Sequence, residues 1–173
     1  MSVIEILAEI VAKVSAETGI PINYSFGSAK YIKEKLDLLS KGNGYAEKRL
    51  PMIALFCPVN EERNNPDYYS VSSVNIIIAC STRTEWSNED RLKNSFIVKL
   101  RPIYESLIRN IKNDSRLDCG YKEVVKHKYS ENYSYGRYGA YVQNSEKLSD
   151  PIDAIDIRDL EINIKLIPNC IRR

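Results

Sequence analysis

Histidine is almost missing: His127 is the only one in 173 residues, so any histidine-dependent acid–base or nucleophilic chemistry would have to pass through that position. Its flanks, KHKYS, lack the strand–turn–helix setting of an activated nucleophile, and no G-x-S-x-G or reactive-cysteine signature occurs. His127 therefore reads as a partly exposed strand residue. Cysteine is sparse as well: Cys57, Cys80, Cys119 and Cys170 are scattered without a C-x-x-C pair, which argues for reduced thiols rather than a zinc site or a disulfide framework. Phosphate-loop chemistry lacks its motif, since the glycines of KGNGYAEKR follow no strand and G-x-x-x-x-G-K-[ST] is absent. No apolar run is long enough to cross a bilayer. The opening MSVIEILAEIVAKVSAE is broken by Glu5, Glu9 and Lys13 and is not expected to be a signal peptide. A surplus of one charge is also missing, because a formal net charge of +2 is far below that of a dedicated nucleic-acid binder.

What the chain does have is an ordinary globular composition, 43% hydrophobic and 28% charged, at a length that fits a single domain spanning 1–173. Val3, Leu7, Ile10, Val11 and Val14 recur at helical spacing and predict a first helix closed by Thr18, Gly19 and Pro21. GSAKYIKEKLDLLSKGNG predicts a second, with Ser28 as cap, Ile32, Leu36 and Leu39 on one stripe, and Gly42 or Gly44 as terminator. LPMIALFCPV, bounded by Pro51 and Pro58, reads as a buried strand, NEERNNPDYY as a polar loop, and SVSSVNIIIACST as an antiparallel partner with Val74, Ile76, Ile78 and Cys80 on one face.

A long helix follows. Ser87 caps it, Glu89 and Asp90 suit its positive end, and Leu92, Phe96, Leu100, Ile103, Leu107 and Ile111 keep its period, with Pro102 expected to kink or divide it. GYKEVVKHKYS predicts a strand, and DAIDIRDLEINIKLIP another. In the latter, Ile155 and Ile157 are out of phase with Leu160, Ile162, Ile164 and Leu166, and either a bulge near Arg158 and Asp159 or a strand that changes partners there would reconcile the two sets. Helices first, then strands, a helix and more strands make an α+β protein with a mainly antiparallel sheet flanked by helices. Asp150, Asp153, Asp156 and Asp159, three apart, would split between the faces of a strand and so cannot converge on one cation; they read as a solvated acidic stretch. No cofactor is expected.

The stretch YSENYSYGRYGAY, residues 129–141, concentrates five of the twelve tyrosines with two glycines and one arginine. On a polar loop or hairpin arm such residues suit contact with an external partner. Tyr133, Tyr135, Arg137, Tyr138 and Tyr141 are the candidate contact residues. The alternatives are a nucleic-acid surface built with Lys122, Lys126 and Lys128, which Glu123 and Glu131 dilute, and a loop folded onto its own sheet. A small enzyme ranks behind both.

The order of FGSAKYIKEKL, LPMIALFCPV, VNIIIACST, RTEWSNEDRLKNSFIVKLRPIYESLIRNI, VKHKYSENYSYG and DAIDIRDLEINIKL resembles that of small neck and tail-terminator proteins of tailed bacteriophages, nearest to those of phages of Bacteroides-like bacteria. Its strongest element runs from Arg83 to Ile111. The resemblance implies a non-catalytic virion protein assembled in the host cytoplasm as a closed ring of identical subunits. Such a ring joins the portal or connector to the tail, touches those neighbours, lets genomic DNA pass and involves no membrane. On that reading the tyrosine arm forms one side of the subunit interface, an edge strand or the helix around Tyr104 forms the other, and Lys126 and Lys128 are candidates for the lumen.

Overall fold

The computed structural model describes residues 2–40, 50–65, 69–118, 124–135 and 152–165. The fold is α+β, with helices on both faces of a mixed, mainly antiparallel sheet. Helix α1 (Val3–Thr18) starts at a capping box between Ser2 and Glu5 and stops at Gly19, whose φ of 66° supplies the left-handed turn that a glycine adopts without strain. Strand β1 (Asn23–Gly27) leads into helix α2 (Ala29–Ser40), where Tyr31 N–H donates to the Ser28 hydroxyl, as a cap at Ser28 requires. Strand β2 (Met52–Phe56) lies between Pro51 and Pro58 and pairs parallel with β1.

Strands β3 (Asn60–Asn65) and β4 (Tyr69–Ser81) correct the sequence reading, since much of the expected polar loop is strand. The cause lies in strand length. β4 has 13 residues and β2 only 5, so β2 covers the second half of β4, and β3 folds back to satisfy the first half.

Helix α3 (residues 88–113) begins at the expected Ser87 cap, in a reciprocal box with Asp90. It changes hydrogen-bond register instead of breaking: α-helical over Asn88–Arg91, π-helical over Leu92–Leu100, and α-helical again over Arg101–Asn113. Arg101 N–H reaches Phe96 O, five residues back, so Pro102 falls in the first turn of the restored α-helix, where a missing N–H costs little.

Strand β5 (Leu117–Asp118) is short, and β6 (Lys128–Tyr135) and β7 (Ile152–Lys165) complete the sheet in the order β1-β2-β4-β7, with β6 and β5 sharing the far side of β7. Of the two remedies for the phase change, the bulge is the one found between β4 and β7: Val74 pairs with Leu160 and Ile76 with Ile157, so Arg158 and Asp159 oppose Asn75 alone. Asp159 takes φ 51° and its N–H donates to Asn75 Oδ1 at 3.0 Å. Ile155, Ile157, Leu160, Ile162 and Ile164 consequently share one core with the buried stripes of α1 and α3. On the opposite face Ile32 of α2 covers Met52, Ala54, Ile77, Ala79, Ile152 and Ala154.

Candidate functional site

The tyrosine stretch is only partly what the sequence suggested. Residues 129–135 belong to strand β6 rather than to a loop, paired along one side to β7, while Arg137, Tyr138 and Tyr141 lie outside the described residues. Strand formation suits a run in which Tyr129, Tyr133 and Tyr135 alternate with small polar residues, because aromatic side chains pack well on a pleated surface. Residues 120–123 of the expected strand GYKEVVKHKYS are also outside the described residues, and 124–127 is irregular. His127 therefore sits just ahead of β6. It is half-buried, with Nδ1 2.8 Å from Val125 O and Nε2 2.8 Å from the Tyr104 hydroxyl. A carbonyl can only accept, so Nδ1 carries a proton toward Val125, and the other ring nitrogen is hydrogen-bonded to the Tyr104 hydroxyl.

The alternate side chains Tyr129, Glu131 and Tyr133 face helix α3. Tyr133 lies against Phe96 with ring centroids 4.3 Å apart, and Tyr129 against Tyr104 at 4.7 Å. Glu131 sits between them and binds Arg101 through two parallel bonds of 2.7 and 3.1 Å, while the Tyr129 hydroxyl donates to it at 2.5 Å. This Arg101 pairing, aided by Tyr129, holds the Glu131 carboxyl below its usual range, whereas burial and the adjacent carboxylate push the Tyr129 phenol up. Tyr104 and β6 thus form one surface, not two complementary ones. Of Tyr135 only the backbone position, opposite Ile152, is described.

Lys126 and Lys128 project from the same margin and are mostly exposed, and each has an acidic partner: Glu161 at 3.5 Å and Asp159 at 2.7 Å. The acidic stretch is not solvated as expected. Asp153 is fully buried, 3.5 Å from Arg91, whose other nitrogens donate to the Trp86 and Arg83 carbonyls. Asp156 is buried on the opposite face, accepts from Asn132 at 2.7 Å, and has its carboxyl pushed up by that burial. Of this series only Asp159 is exposed among the described residues, while Asp150 lies outside them. Both carboxylates are structural: Asp153 fastens the start of β7 to Arg91 in the first turn of α3, and Asp156 fastens it to β6.

A second surface escaped the sequence reading. At the opposite edge of the sheet, Tyr24, Phe26 and Gly27 of β1 and Tyr31 and Lys35 of α2 line an open cleft of about 480 Å³ with Ile4, Ser25 and Cys57. A side chain at Gly27 would meet the Tyr31 ring at 2.6 Å, so the glycine lets this wall close against the strand. Lys35 Nζ donates to Ser25 Oγ at 2.9 Å. The signal was present in YSF and KY, but their exposure depends on β1 having, among the described residues, a strand on only one side, which topology decides.

Among the described residues the exposed large hydrophobic side chains are Phe26, Tyr31, Ile97, Val98, Val124 and Tyr129, from 41% exposed at Tyr129 to 60% at Val98. Phe26 and Tyr31 lie at the β1 edge, Tyr129 and Val124 lie on and just ahead of β6, and Ile97 and Val98 lie on α3. No family model, curated protein or solved structure matches the chain.

Proposed function

We propose that this protein is a structural subunit that assembles head to tail into a closed ring of identical copies. In keeping with its motif order, we place that ring at the head-to-tail junction of a tailed phage. There it joins the portal or connector to the tail, as a neck ring or tail terminator, and lets DNA pass. The observation that carries the reading is the division of exposed apolar side chains between two unlike patches at opposite edges of one sheet. A rotationally closed assembly needs two different, mutually fitting surfaces on each subunit, whereas a two-fold dimer needs only one. Scattered single hydrophobic residues would need no explanation; two clusters do. The acidic partners of Lys126 and Lys128 favour a lumen that DNA can slide through, because each unpaired phosphate contact adds affinity that would hold it.

Mixing two assembly-defective variants tests the head-to-tail geometry. Tyr31→Glu spoils the β1 patch and Val124→Glu the β6 patch, both at exposed positions. Each alone should be monomeric with an unchanged circular dichroism spectrum, and an equal mixture should form dimers and nothing larger. Assembly of either variant on its own to the wild-type size would refute the proposal.

A further inference from the structure

The two edges match in more than apolarity. Phe26 pairs with Leu55, Leu55 with Ile76, Ile76 with Ile157, and Ile157 with Tyr129, so one row of residues crosses five strands and ends in an exposed aromatic ring at each edge. Residues paired across a sheet share a face, and Leu55, Ile76 and Ile157 all enter the core beneath α1 and α3. Phe26 and Tyr129 therefore stand on that same face, at the same height. Strand direction agrees as well. β1 runs parallel to β2, and β2, β4, β7 and β6 then alternate, so β6 runs opposite to β1. Among the described residues neither β1 nor β6 has a strand on its outer side.

We infer that β6 of one copy adds to β1 of the next as an antiparallel pair, with Tyr129 opposite Phe26, making one sheet that continues from subunit to subunit. The inference rests on the head-to-tail reading above and names the contact within it. An unpaired strand edge is a template for another strand, and main-chain bonds supply affinity while facing side chains fix register. Here the register is fixed by an aromatic pair, a favoured cross-strand combination. Both rings then extend the apolar row already present.

A double variant, Phe26→Cys with Tyr129→Cys, tests the register by disulfide formation on mild oxidation. The expected result is a ladder of covalent multimers on a non-reducing gel. Each single variant alone should stay at the wild-type background, and a mixture of the two should give one dimer band. Efficient cross-linking by either single variant would mean a two-fold contact and overturn the inference. So would full assembly, measured by native mass, without the 26–129 link, and that outcome would leave the ring reading standing. A protein that is monomeric in every preparation would sink both. Hydrogen exchange on the unaltered protein provides an independent check. Amides of residues 23–27 and of 128–135 should exchange at least tenfold more slowly in the assembled protein than at dilutions where it is monomeric, and unchanged exchange at β1 contradicts the pairing.

Discussion

Glu17, near the end of α1, ties that helix to α3. Its carboxylate accepts from the Ser106 hydroxyl at 2.6 Å, Arg109 at 2.8 Å and Asn110 at 2.9 Å. These bonds, Ser106 first, draw its pKa from 4.5 to about 2. A carboxylate bound more tightly in the folded state contributes stability that is complete above its unfolded pKa and is lost as pH falls through its folded one. Glu131 and Asp114 shift the same way, through Arg101 and Arg116, whereas buried Asp156 shifts upward and opposes them. Thermal melts from pH 5 down to pH 2 should therefore show a falling midpoint, with a shallower fall for Glu17→Gln; identical slopes would remove Glu17 from the account. The Arg91–Asp153 pair sets a different scale, because both groups are buried. Asp153→Ala leaves a guanidinium without its counter-charge and should cost about 3–5 kcal/mol in urea unfolding, the usual penalty for breaking such a pair from one side. A loss below about 1 kcal/mol would mean that the carbonyls of Trp86 and Arg83 suffice.

At the level of elements, the bulge in β7 makes a sharp prediction. Asp159 adopts a left-handed backbone conformation, φ 51°, that asparagine tolerates and β-branched residues do not. Asp159→Asn should change unfolding free energy by no more than about 0.5 kcal/mol, whereas Asp159→Val should lose about 1–2 kcal/mol. Equal effects would show that the strand accommodates the extra residue elsewhere. The bulge was legible in the sequence because a phase shift in an alternating pattern has few physical remedies. So were the stripes of α1 and α3 and the Ser87 cap, which depend on local spacing. What was not legible depends on partners. β3 is polar and forms because β4 outreaches β2, and Asp153 is buried because Arg91, 62 positions away, comes to meet it. Tyr133, a candidate contact residue in the sequence with its own fold as the alternative, packs on Phe96. The alternation of Tyr129, Glu131 and Tyr133 carried the strand signal, masked by the surrounding serines and glycines.

For the whole molecule, the two edges of the sheet are the feature with the largest consequence. A sheet adds further strands only at its edges, and among the described residues this one carries exposed aromatic residues at both. Left open, such edges invite unlimited addition; closing them in a ring with fixed rotation per subunit limits growth. Two of the sequence candidates, Tyr104 and Tyr133, pack between β6 and α3, and on the proposed assembly the β1 cleft is the second surface, at an edge strand the sequence did not single out. The most direct test is the native mass of the purified protein over a hundredfold range of concentration. A closed ring predicts one dominant species with a fixed integral number of copies that sharpens, without growing, as concentration rises. A monomer at every concentration, or a mass distribution that keeps extending upward, would contradict it.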